Sequence, residues 1–291
     1  MQRIWDLKTL LLTAGDVPFS NGVMPMALVP IFDPNAAGRP LRVAGFMSGS
    51  GTNILRLLER ETLLKAREGV SPFEVVFIFS DRSDGSCYGE SIACDTGIPY
   101  ISYDIRTFHR LRAFKRTVNT PEGLEARREF DRVAAALVKA FEVDVIALGG
   151  YMSYLTLDRC INVHPADLSV LTPTGDRKYV GDNAVVDAIA DGESFLRSST
   201  IWTDRGVDTG PLLMVSNPLE VQLNEPLEFL VSDREKLLKV AEEHQNRLKE
   251  AGDWKIFPMT IEMISRGRFA LDEQKRVYVD GKPVPKGYRR S

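Results

Sequence analysis

Apolar residues fall along this chain in two recurring patterns. Short unbroken runs, LRVAGFM at Leu41–Met47, FEVVFIFSD from Phe73, IPYISYD from Ile98 and VDVIALGG at 143–150, have the length and content of buried strands. Between them the apolar positions recur at helical spacing, in ILRLLERETLLKA from Ile54 and in a charged amphipathic segment running to about Phe141. Thr120 can cap that second helix, with Pro121 as its first residue, and a shorter helical stretch precedes Ile98. Strands alternating with helices predict βαβ units and a parallel sheet.

Past residue 150 the rhythm loosens. CINVH at Cys160–His164, SSTIWT from Ser198 and PLLMVS from Pro211 read as strands, 225–252 as a long charged helix and 258–265 as a shorter one. The chain closes on RFALDEQKRVYVDGKPV, where Asp280-Gly281 signals a two-residue hairpin turn. Residues 1–40 carry Pro18, Pro25, Pro30, Pro34 and Pro40 without a sustained pattern, which predicts an extended N-terminal arm. The expected fold class is thus α/β: a Rossmann-like, mostly parallel twisted sheet with helices on both faces and a C-terminal β-hairpin, in one domain from 41 to 291.

Composition narrows the partners. With 37 Lys and Arg against 40 Asp and Glu, and no long block of either sign, neither nucleic acid nor a membrane surface is an expected partner. The early apolar run at Leu10 to Leu12 is cut short by Thr13 and Gly15, so neither an export signal nor a membrane span is expected. Cys87, Cys94 and Cys160 form no CxxC pair; they fit reduced thiols in a cytoplasmic protein, with no metal site expected.

Three segments carry candidate chemistry. SGSGTN sits where a strand hands over to a helix, so its backbone N–H groups and the helix dipole can converge on a phosphate. A third dinucleotide-motif glycine would fall at Ile54, and no GK[ST] follows. In INVHP, Asn162 and His164 are two apart on a strand and point to one face. In TDRGVDTGP, Asp208 lies in a loop between two strands, where functional carboxylates tend to sit. Each also has a bland reading: a packing turn, a structural histidine, a turn-forming aspartate.

These elements, with FIFSDRSD, ALGGYMSYLT, NVHPADLS, GVDTGP and the ending GRFALDEQKRVYVDGKPVPKGY, resemble the glycinamide ribonucleotide transformylases in the same order, over about residues 41–288. The resemblance implies a formyltransferase-type fold, with a phosphate-binding half at about 41–150 and a folate-binding half at about 151–291. It implies formyl transfer from 10-formyltetrahydrofolate, as co-substrate, to the amine of a small phosphorylated acceptor in purine biosynthesis. By the same resemblance Asn162, His164 and Asp208 are the catalytic set. Gly49, Ser50, Gly51, Thr52 and Asn53 would cradle the acceptor phosphate, Arg127 would reach an anionic ligand group, and Glu243 would receive the acceptor amine. Met152, Leu155, Thr203, Asp204 and Val207 would line the pterin pocket. The expected partners are small-molecule substrates, and a homodimer stays open.

The chain departs from the family after the Asn-x-His-Pro motif. Ala166-Asp167-Leu168-Ser169 replaces Ser-Leu-Leu-Pro, and TPTGDRKYVGDNAVVDAI replaces a histidine-bearing acceptor loop. Ser153 stands where many members carry arginine. Hydrolysis of the formyl folate and formylation of another amine, such as an amino sugar nucleotide, are therefore the alternatives to glycinamide ribonucleotide as acceptor.

Overall fold

The computed structural model describes residues 28–290, so the first 27 residues of the expected arm lie outside the described residues. Seven strands form the central sheet: β1 (Leu41–Met47), β2 (Phe73–Ser80), β3 (Tyr100–Ser102), β4 (Val145–Leu148), β5 (Cys160–His164), β6 (Ser199–Trp202) and β7 (Leu212–Val215). Their spatial order is β3-β2-β1-β4-β5-β6-β7. Pairing is parallel from β3 to β5 and antiparallel for β5–β6 and β6–β7, which gives the mostly parallel sheet that the strand–helix alternation predicts. Strand order reverses between β1 and β4, the point at which open α/β sheets leave a crevice beyond the carboxyl ends of their strands.

Two apolar layers cover the sheet. On one face Ile54, Leu57 and Leu64 of α1 (Thr52–Glu68) meet Leu41, Val43 and Met47 of β1. On the other, Phe130 of α3 (Pro121–Ala140; α2 is Gly89–Thr96) joins Phe46, Phe77 and Phe79. Phe46 and Phe79 have ring centroids 4.9 Å apart, a spacing that adds aromatic attraction to plain burial. As expected, Thr120 caps α3 through its side chain, accepting from the Gly123 N–H, and Pro121 stands in the first turn.

The structure departs from the pattern reading in two places. The described stretch of the arm has regular structure: Val29 and Pro30 pair with Leu271 and Ala270, adding a strand to the terminal hairpin sheet, and Asp33 caps a one-turn helix at Pro34–Ala37. The charged segment from 225 is not one helix. Asp233 ends a short helix at Leu227–Ser232 and caps α5 (Arg234–Leu248; α4 is Ala184–Ala190). A π-helical turn, Lys249–Asp253, then leads into α6 (Trp254–Ser265), which keeps Pro258 in its interior. The wider turn absorbs the break that Gly252 and Pro258 suggest. The hairpin forms as expected, with Asp280 and Gly281 both at positive φ (49° and 77°) and Val279 opposite Lys282.

Candidate active site

The turn after β1 is held by its neighbours. The Ser48 N–H donates to the Gly150 carbonyl, and the Ser48 hydroxyl donates to Asp81 at 2.7 Å while accepting from the Met152 N–H at 2.9 Å. Ser153 also donates to Asp81. One buried carboxylate thus ties together the ends of β1, β2 and β4. Gly51 adopts φ +66°, a left-handed conformation that favours glycine, and a Cβ there would push against the flexible end of Met47. No side chain caps α1 and no acidic residue stands in its first turn, leaving the N–H groups of this 17-residue helix to an anion. Gly49, Ser50, Gly51, Thr52 and Asn53 are all part of this turn, and the Asn53 Oδ1 is buried without a protein partner.

At the carboxyl end of β5, Ile161 and Val163 join one apolar layer and Cys160 the other, so Asn162 and His164 share the Cys160 face. Asp208 reaches His164 from the loop between β6 and β7. Its backbone is left-handed, φ 52°, and Gly210 beside it has no room for a side chain, because a Cβ would lie 2.0 Å from the Trp202 carbonyl oxygen. The Asp208 Oδ2 is 3.3 Å from Nδ1 of His164 and accepts the Gly181 N–H at 2.9 Å. Nε2 of His164 lies 3.2 Å from the Tyr179 carbonyl oxygen. Burial holds the His164 ring below the ordinary imidazole range, opposed by the Asp208 carboxylate and the Tyr179 carbonyl. The Asn162 side chain is half-buried and has no protein hydrogen bond among the described residues.

Toward the start of β5 lies a cavity of about 750 Å³, a size suited to a cofactor-sized molecule, whose lining includes none of Asn162, His164 and Asp208. Leu155, Thr203 and Asp204 line it together with Tyr154 and Trp202. Met152 and Val207 are outside that lining and largely exposed.

Arg127 and Glu243 stand apart from the His164–Asp208 pair. Arg127 is 2% exposed and wholly engaged: it pairs with Asp131 at 2.9 Å and donates to the Tyr151 hydroxyl at 3.0 Å. Asp131 in turn accepts from the Thr156 N–H at 2.8 Å, so Arg127 anchors the loop carrying Leu155. Glu243 points outward from α5, whose buried residues Ala241 and His244 face the opposite way, and no contact joins it to His164.

The structure offers a different carboxylate. Asp253, at the end of the π-helical turn, is buried beside Ser198, which precedes the Ser199 that pairs with His164. Its Oδ1 lacks a partner, and burial pushes its pKa up to about 6. An acidic residue three positions ahead of the apolar run IFPMTIEMI is the signal of it in the sequence, and it is a weak one.

Residues 41–234, two thirds of the chain, match the family model described as formyl transferase. The chain belongs to the formyl transferase family. Within that family it is similar to phosphoribosylglycinamide formyltransferases. That of Haemophilus influenzae is 25% identical over 255 residues, covering 85% of this chain and 98% of the relative. That of Mycobacterium tuberculosis is 28% identical over 181 residues, covering 60% and 69%. Among solved structures, glycinamide ribonucleotide transformylase 1 from Symbiobacterium toebii superposes with a TM-score of 0.57 at 25% identity, covering 83% of this chain and 95% of that one. A formyltetrahydrofolate deformylase from Burkholderia mallei shares the fold at 17% identity, with a TM-score of 0.53 over 83% and 70% of the two chains.

Proposed function

We propose that this chain transfers a formyl group from 10-formyltetrahydrofolate to the amine of a small phosphorylated acceptor, with glycinamide ribonucleotide the first candidate. The observation that carries the reading is the pairing of His164 with Asp208, with Asn162 on the same strand face as His164, in a chain that also carries an anion-ready turn and a cofactor-sized cavity.

The chemistry follows from the groups present. The acceptor nitrogen adds to the formyl carbon; a C–N bond forms and the carbonyl oxygen takes up negative charge. The Asn162 amide and a His164 ring N–H are the donors for that oxygen. Collapse of the tetrahedral centre breaks the bond to the folate nitrogen, which takes a proton as the acceptor amine gives one up. Asp208 keeps an N–H on Nδ1 of His164 and stabilises the ring as a cation. Asp253, with a free oxygen and a pKa near 6, takes the amine-facing role first expected of Glu243. The pterin occupies the cavity at Leu155, Thr203 and Asp204, and the acceptor phosphate sits at Gly49 to Asn53.

The test is turnover of 10-formyltetrahydrofolate with glycinamide ribonucleotide and a panel of other amines. Tetrahydrofolate is expected to appear only with an acceptor. Formate release without one replaces transfer by hydrolysis, and turnover with another amine alone replaces the acceptor while keeping the chemistry.

A further inference from the structure

The segment that differs most from the family pattern lies across the catalytic pair. Residues 170–178 fold back as a hairpin: the Lys178 N–H donates to the Val170 carbonyl at 3.0 Å, the Thr172 N–H to the Asp176 carbonyl at 2.7 Å, and Leu171 bridges Arg177. The strand then delivers Tyr179, 2% exposed, whose hydroxyl is fixed by Glu193 at 2.8 Å. From this anchored base three groups reach the site. The Tyr179 carbonyl meets Nε2 of His164, the Gly181 N–H meets Oδ2 of Asp208, and the half-buried Arg177 guanidinium donates to the carbonyls of Asp208 and Gly210, the latter at 2.6 Å.

The geometry points to Arg177 as a positioning residue for formyl transfer, which sets Asp208 against His164 by gripping the backbone of the loop that carries it. Asp208 sits in a left-handed conformation that non-glycine residues adopt at a cost, so something must hold it there. A guanidinium can span two carbonyls two residues apart with separate nitrogens. Lysine brings the same charge as a single point and cannot make both bonds in that geometry. Arg177 hydrogen-bonds two backbone carbonyls and its charge also lowers the His164 pKa; Arg177→Lys keeps that charge, so its effect isolates the placement of Asp208.

This inference rests on the formyl-transfer reading for its kinetic test and on geometry alone for its spectroscopic one. Arg177→Lys and Arg177→Ala are expected to lower kcat on the order of 100-fold, with little change in KM for 10-formyltetrahydrofolate. Added guanidinium ion should restore part of the rate of Arg177→Ala. In nitrogen-15 spectra without substrate, the ring N–H of His164, assigned by its loss in His164→Asn, should be protected from exchange in the wild type and exposed in both variants. Full activity or an unchanged ring signal in Arg177→Lys overturns the inference. Should Arg177→Ala not fold, Arg177→Lys carries the same two measurements. A wild type that transfers no formyl group defeats the formyl-transfer reading, and the ring spectra still decide whether Arg177 holds the pair.

Discussion

His164 turns Nε2 toward the carbonyl oxygen of Tyr179 at 3.2 Å, the same ring nitrogen that Asp208, occupied with Nδ1, leaves free to serve a substrate. A neutral imidazole has one N–H, so it cannot donate to both acceptors; the cation can. An oxyanion that uses Nε2 must therefore compete with Tyr179 for it.

Titration of His164 follows from this arrangement. Followed by NMR, its ring is expected to titrate below the ordinary value of 6.5, since burial outweighs Asp208 and the Tyr179 carbonyl. Asp208→Asn removes a contribution that raises the pKa, so the midpoint should fall further. As the folded pKa is the lower one, His164 supports folding above pH 6.5 and that support is lost as pH falls through the folded value. A midpoint that rises in Asp208→Asn would contradict the pairing.

The Asn162 amide has no protein partner among the described residues, so its removal takes no hydrogen bond from the fold. Asn162→Ala is expected to lower kcat by on the order of 100-fold, about 3 kcal/mol, while Tm stays within a degree or two, roughly what a small change at a polar site produces. Steady-state kinetics beside a thermal melt checks both halves.

Arg127 should report on stability. Arg127→Ala leaves Asp131 buried and unpaired, at a cost of about 3–5 kcal/mol. Urea denaturation measures it. A variant of native stability whose only defect is a raised KM would return Arg127 to a ligand-contact role.

Asp253 makes stability depend on pH in the opposite sense to a salt-bridged carboxylate. Its folded pKa, about 6, is above the unfolded 3.8, so its support for folding is complete below pH 3.8 and is lost as pH rises through 6. The difference amounts to about 3 kcal/mol as an upper figure. Asp253→Asn should flatten the decline between pH 4 and 7, as read from denaturation midpoints across that range. A pH dependence left unchanged in Asp253→Asn would show that the carboxylate carries none of it.

The sheet was legible because its strands are long apolar runs separated by helical spacing, and the turns at Ser48 and Asp280 because their glycines meet steric demands visible in the residues themselves. Asn162, His164 and Asp208 were legible through position, two on one strand face and one on a strand-end loop. Other features hid for physical reasons. Arg127 and Asp131 stand four apart, the spacing of a helical ion pair, but only three-dimensional packing shows that the pair is buried. The segment 170–178 has no apolar period, since its order comes from backbone bonds and an arginine. Asp253 lay in what Gly252 and Pro258 made look like a loop.

The π-helical turn at Lys249–Asp253 makes the residue presented beside Ser198 a matter of counting. Such a turn holds one residue more than the α-turn it interrupts, and each residue advances an α-helix by about 100°. Loss of any single residue from this stretch would let the two helices fuse into one regular rod and swing its two ends out of phase by about that angle. The identity of the carboxylate at this end of the sheet is therefore governed by chain length, so a one-residue deletion could exchange it while every side chain needed for the fold remained encoded.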